Sequence, residues 1–106
     1  MTDFNDMLQR AKQMQQKMKE AQDEIKNIQV EGVSGGNLVK VTLSGDYELK
    51  SIFISENAKK ENQEIINDLI IAAYNNAKEN LKKKSSEKIS KITGGINLPF
   101  DIKFPS

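Results

Sequence analysis

The feature that most constrains the fold is a spaced set of apolar residues near the start of the chain. Phe4, Met7, Ala11, Met14, Met18, Ala21, Ile25 and Ile28 follow one another at steps of 3, 4, 3, 4, 3, 4 and 3. Such alternation keeps one narrow stripe of a helix apolar over many turns and is the pattern of a heptad seam. The intervening positions are mostly Gln, Lys, Arg, Asp and Glu, with no Gly or Pro, so period and propensity agree on a single helix over residues 3–27. At a rise of ~1.5 Å per residue this helix is a rod of nearly 40 Å. Its seam is built from Met and Ala with only two Ile beside Phe4, a softer packing surface than a Leu/Ile zipper.

After residue 28 the period changes from helical to alternating. Val30, Gly32 and Val33 lead into the turn Ser34-Gly35-Gly36, and residues 38–43 place Val39, Val41 and Leu43 on one face against Lys40 and Thr42 on the other. Ser44-Gly45-Asp46-Tyr47 reads as a tight hairpin into a third strand over residues 47–54. In that strand the apolar set changes parity between Leu49 and Ile52, which predicts a bulge near Lys50 and Ser51. Residues 55–62 are polar and read as a loop. Ile65, Ile66, Leu69, Ile70, Ala73, Ala77 and Leu81 then define a second amphipathic helix, with Glu61, Glu64 and Asp68 near its positive end. Past Leu81 the pattern thins into Lys82-Lys83-Lys84-Ser85-Ser86, where the helix has room to break near Ser85. Ile89 and Ile92 resume it before Thr93-Gly94-Gly95 ends it. The expected architecture is therefore a single α+β domain over residues 1–95: long N-terminal helix, three-stranded antiparallel sheet, long C-terminal helix. Residues 96–106, with Pro99 and Pro105, read as an extended tail.

Composition removes most chemistry. The 106 residues include no Cys and no His, so thiolate nucleophiles, the commonest general base and the commonest metal ligand are all absent. No nucleophile and base pair emerges from what is left, and Ser34-Gly35-Gly36 lacks the Gly-Lys-Ser/Thr ending of a phosphate loop. The expectation is a non-enzymatic protein with no metal, cofactor or small-molecule substrate. The acidic start, Met1-Thr2-Asp3-Phe4-Asn5-Asp6, does not read as a secretory signal, and the longest apolar run, residues 69–74, is far below the ~20 residues of a membrane helix. The chain reads as soluble and cytoplasmic, without a membrane partner.

Two features point instead to macromolecular binding. A strand of seven residues spans only ~23 Å, so a helix of nearly 40 Å overhangs the sheet that it packs on. The overhanging seam needs a partner, most simply a second copy of the chain, and the edges of a three-stranded sheet point the same way. Charge is also uneven beneath a net value of +1. Residues 9–19 hold Arg10, Lys12, Lys17 and Lys19 with no acid, a local charge of +4, whereas residues 20–31 sum to −3. Residues 78–91 hold Lys78, Lys82, Lys83, Lys84, Lys88 and Lys91 against Glu79 and Glu87, again +4. Two basic helical stretches, doubled in a dimer, could neutralise several phosphates, with Gln9, Gln13, Gln15, Gln16 and Gln22 as neutral donors and acceptors beside them. By composition alone a solvated helix face accounts for residues 9–19 about as well, and for residues 82–84 somewhat better. The Met-rich seam also fits an adaptor that docks a partner helix.

Three segments together resemble the YbaB/EbfC family of nucleoid-associated proteins over essentially the whole chain. They are Leu8-Gln9-Arg10-Ala11-Lys12-Gln13-Met14-Gln15-Gln16-Lys17-Met18 leading to Val30-Glu31-Gly32; Ser34-Gly35-Gly36-Asn37-Leu38-Val39-Lys40-Val41-Thr42; and Asp68-Leu69-Ile70-Ile71-Ala72-Ala73-Tyr74-Asn75-Asn76-Ala77 followed by Thr93-Gly94-Gly95-Ile96-Asn97-Leu98-Pro99 and Lys103-Phe104-Pro105. The resemblance implies a tweezer-like homodimer with the long helices as arms, binding double-stranded DNA in the bacterial cytoplasm as part of the nucleoid. It also implies DNA contacts at Arg10, Lys12, Lys17 and Lys19, and at Lys78, Lys82, Lys83 and Lys84. The chain departs from the family pattern at Ser55-Glu56-Asn57-Ala58-Lys59, where Asp-Pro-x-Leu-Leu is common, and at Lys78-Glu79-Asn80, where an Arg is frequent.

Overall fold

In a computed structural model that describes residues 3–94, the chain runs α1 (Phe4–Lys26), β1 (Gln29–Ser34), β2 (Val39–Ser44), β3 (Leu49–Ile54), α2 (Glu56–Lys59) and α3 (Gln63–Ile92). The tail reading of residues 96–106 lies outside the described residues. The sheet is antiparallel throughout, in the order β1-β2-β3. Its first turn is closed by the Leu38 N–H donating to the Ser34 carbonyl at 3.0 Å, with Gly35, Gly36 and Asn37 at φ 59, 64 and 75°. Three consecutive left-handed residues explain why two of them are glycine. In the second turn the Tyr47 N–H donates to the Ser44 carbonyl at 3.0 Å. Thr42 then faces Ser51 while Leu43 faces Leu49, so Lys50 is the extra residue of a bulge, where the parity change located it.

The core lies between the sheet and α3. Val39, Val41 and Leu43 from β2 and Ala73, Ala77 and Leu81 from α3 are all fully buried, joined by Val30 and by Ala58 of α2. Alanines on the helix and a glycine on the strand let the two layers approach closely. Leu43 and Leu81 then supply the larger apolar volume, each worth about 1.5–3 kcal/mol when removed from water.

Two sequence expectations are corrected. α3 does not break near Ser85 but continues through it as one helix of 30 residues. Ser85 is only 3% exposed and lines a cavity of about 250 Å³ with Gln22, Ile25, Lys26, Gly45, Asp46 and Tyr47. Its small side chain fits where α3 crosses the end of α1, and a serine costs the helix at most about 0.7 kcal/mol relative to alanine. Burial of Ile89 one turn later outweighs that cost. Residues 55–62, expected as loop, contain α2. The Ser55 hydroxyl accepts from the Ala58 N–H at 3.1 Å, a helix cap, and Ala58 is fully buried. The polar composition concealed this turn because only one of its side chains enters the core.

Candidate nucleic-acid interface

The site begins where the two long helices meet. Ala21 and Ile25 of α1 pack on Ile89 of α3, with Met18, Ile28 and Ile92 around them, and Lys88 Nζ lies 3.2 Å from Glu24 Oε2. Residues of higher number on α1 meet residues of lower number on α3, so the helices run antiparallel and form a stalk beyond the sheet. α3 ends at the C-cap Thr93, whose hydroxyl donates to the Ile89 carbonyl at 2.7 Å. α1 continues past this contact toward its N-terminus for roughly 20 Å. On that stretch Phe4, Met7 and Leu8 are 70, 59 and 46% exposed, and only Met14 and Met18 are half-buried. The described part of the molecule accordingly measures 69 × 22 × 18 Å, with a radius of gyration of 18.9 Å where a compact chain of this length has about 13 Å.

All four predicted cations of α1 sit on this projection or at its base, and all are exposed. At 100° per residue, Arg10 and Lys17 share one flank of the apolar seam, while Lys12 and Lys19 share the other. Among the described residues none of the four makes an ion pair, in contrast to Lys40, Lys50, Lys59, Lys82 and Lys88. Lys26 continues the stripe of Lys12 and Lys19 at the same interval of seven. It was overlooked because it falls within the stretch whose net charge is negative.

The second predicted set is divided by its own helix. Lys78 is half-buried, and Lys82, one turn on, lies 3.6 Å from Glu79 Oε1. Lys84 lies on the opposite flank, where its Nζ reaches the Gln29 carbonyl at 3.5 Å. Lys83 points away from both. These four therefore do not form one patch, unlike the aligned pairs of α1. Asn76 and Asn80, which sequence reasoning passed over, join Lys84 along β1. The Val33 N–H donates to Asn76 Oδ1 at 2.9 Å, and Asn80 Nδ2 donates to the Glu31 carbonyl at 2.8 Å. The spacing of 76, 80 and 84, one helical turn each, was the available signal.

The clearest perturbed titration lies away from the projection. Asp46 is held below the usual carboxylate range, first by the Ser44 hydroxyl that donates to it, with backbone N–H groups and Lys50 adding to the effect. Among the described residues no group of three or more carboxylates could hold a metal ion, and no helix is long and apolar enough to cross a membrane.

A nucleoid-associated protein of Bartonella bacilliformis is 42% identical over 106 residues, covering 99% of this chain and 98% of that one. The crystal structure of an uncharacterized protein from Helicobacter pylori shares the fold with a TM-score of 0.70 at 18% identity, covering 89% of this chain and all of the other. The model of the YbaB/EbfC DNA-binding family matches residues 1–96, and the chain belongs to that family.

Proposed function

We propose that this chain is a homodimer that binds double-stranded DNA in the cytoplasm, as part of the nucleoid, gripping it mainly through phosphates with the projecting half of α1. The observation that carries this reading is the pair of cation rows, Arg10 with Lys17 and Lys12 with Lys19, on a helix segment with little packing of its own. Unpaired ammonium and guanidinium groups keep their full charge available for phosphate, and each contact releases condensed counterions. Phosphate contacts position a protein without reading sequence, so preference among DNA sequences is modest. Organisation of the nucleoid and effects on transcription follow from such binding along DNA. Lys78, Lys82, Lys83 and Lys84 belong to this reading as secondary contacts, weakened by their divergence around α3.

A gel-shift titration against salt tests it. Duplex affinity should be measurable at low salt and fall linearly on a log–log plot, by about 0.9 in slope for each phosphate neutralised. Absence of binding at low salt, or affinity that does not change with salt, would reject the phosphate reading. The exposed Phe4, Met7 and Leu8 would then favour an adaptor that docks a partner helix on the seam.

A further inference from the structure

The cavity beside Ser85 lies where three elements meet: the last turns of α1, the turn between β2 and β3, and α3. Its walls are held by backbone. The Gly45 N–H donates to the Ile28 carbonyl at 3.0 Å, and the turn sits so close to α1 that a Cβ on Gly45 would collide with the Ile25 carbonyl oxygen. Tyr47 lines the cavity at φ 64°, a left-handed conformation that a bulky residue rarely adopts and that gathers at functional sites. One hydroxyl in this wall is unsatisfied. Ser85 is only 3% exposed, yet among the described residues its side chain makes no hydrogen bond. No polar side-chain atom that is wholly shut away lacks a partner among those residues, so the little surface left to the Ser85 oxygen is the surface that opens into the cavity. Buried polar groups are nearly always bonded, which makes this hydroxyl the exception. At the mouth, Lys26 and Asp46 are exposed and opposite in charge, and among the described residues neither forms an ion pair.

The geometry points to a binding site for a free aromatic α-amino acid whose ring carries an N–H, with tryptophan as the best fit. Opposite charges at one mouth match a zwitterion: the ligand carboxylate meets the Lys26 ammonium, and the ligand ammonium meets the Asp46 carboxylate. A ligand of single charge would satisfy one of the two and be repelled by the other. The ring enters the apolar space between Ile25 and Tyr47, where an aromatic pair adds to simple burial. Its N–H then donates to the Ser85 oxygen and supplies the missing partner. Size agrees with this occupant. A dry cavity of ~150 Å³ takes one benzene ring, and about 250 Å³ has room for an indole, roughly one and a half times larger. Arg10, Lys12, Lys17 and Lys19 do not line the cavity, so the site is independent of the DNA-binding reading.

The chain contains no tryptophan, so the emission of added L-tryptophan reports the ligand's own surroundings. L-Tryptophan held at a fixed micromolar concentration and titrated with the full chain should move to shorter wavelength and saturate, with half-saturation at or below about 1 mM for a ligand of this size. Absence of a saturable shift overturns the site. Tryptamine, which lacks the carboxylate, and indole, which lacks both charges, should bind roughly fivefold or more weakly. Equal affinity for all three would remove the charged mouth from the site. Lys26→Ala and Asp46→Asn should each weaken tryptophan by about fivefold while helical circular dichroism is retained, and no effect from either refutes the assignment. Ser85→Ala introduces the better helix former. It should lower affinity for tryptophan by about two- to tenfold and leave that of L-phenylalanine, measured by competition, unchanged. An equal effect on both ligands overturns the role of the hydroxyl. Backbone amide shifts in NMR spectra of the unmodified chain should cluster at Gln22, Lys26, Gly45 and Tyr47, and shifts confined to other residues overturn this location.

Discussion

Gly32 of β1 lies directly against the backbone of Ala77 in α3: a Cβ added to the glycine would come within 2.6 Å of the Ala77 Cα and closer still to its nitrogen. No flexible side chain tip can yield there, since the obstacle is helix backbone. Gly32→Ala must therefore push α3 off the sheet at its closest approach, with a loss of about 2 kcal/mol or more. Thermal unfolding followed by circular dichroism should show the melting temperature fall by several degrees. An unchanged melting temperature would mean that the layers are not as close as this contact requires.

The same contact shows what the sequence could and could not reveal. The periods of β2 and α3 were legible because each has one buried face, so Val39, Val41 and Leu43 announced their role by alternation, and α1 was legible from its apolar stripe although only Ala21 and Ile25 of it are buried. The bulge at Lys50 was legible for the same reason, as a change of parity. Helix α2 and the unbroken course of α3 were not, because Ala58 and Ser85 are small residues buried by what packs on them, and a polar or neutral residue carries no periodic signal. At the site, Arg10, Lys12, Lys17 and Lys19 were legible as a local charge excess, but their division into two rows was not. Nor was the dispersal of Lys78, Lys82, Lys83 and Lys84, because a local charge sum ignores which side of the helix each residue occupies.

The edge of β1, where side chains of α3 bond the Val33 N–H and the Glu31 carbonyl, gives a second prediction. Asn76 and Asn80 are exposed, so replacing both by alanine removes two hydrogen bonds worth about 1 kcal/mol each without leaving a cavity. It also uncovers the outward groups of Val33 and Glu31. The double variant Asn76→Ala, Asn80→Ala should lose roughly 2 kcal/mol in urea unfolding. It should also shift the mass distribution in light scattering to larger species, because β1 becomes a free pairing edge. Loss of stability with an unchanged mass would show that the asparagines hold α3 in place without guarding the edge.

Acid sensitivity should include a contribution from the second turn. Asp46 has its carboxyl pKa lowered by the Ser44 hydroxyl in the folded chain. A group whose folded pKa lies below its unfolded value stabilises the fold above the unfolded pKa, ordinarily 3.8, and loses that contribution as pH falls through the folded value. Asp46→Asn should therefore melt below the unmodified chain at neutral pH, and the difference should shrink once pH drops beneath 3.8. Melting curves recorded from pH 7 to pH 2 check this, and a gap that persists at the acid end would assign the effect to something other than ionisation.

The rows on α1 predict how DNA affinity responds to paired substitutions. Arg10 with Lys17, and Lys12 with Lys19, occupy opposite flanks of a helix about 10 Å wide, so a duplex against the seam can present a phosphate strand to each row. Each double alanine variant should then weaken binding and flatten the log–log salt dependence by about 1.8 per arm, twice the value of one contact. The quadruple variant should approach the sum, because the rows do not touch and their effects are independent. Alanine is the best helix former and all four positions are exposed, so mass and helical content should not change. Lys59→Ala serves as the control, since that lysine lies on α2 and pairs with Glu56 at 3.1 Å. If only one row alters the slope, the duplex rests on that flank alone and the seam faces elsewhere; if neither does, the projecting helix is not the DNA-binding element.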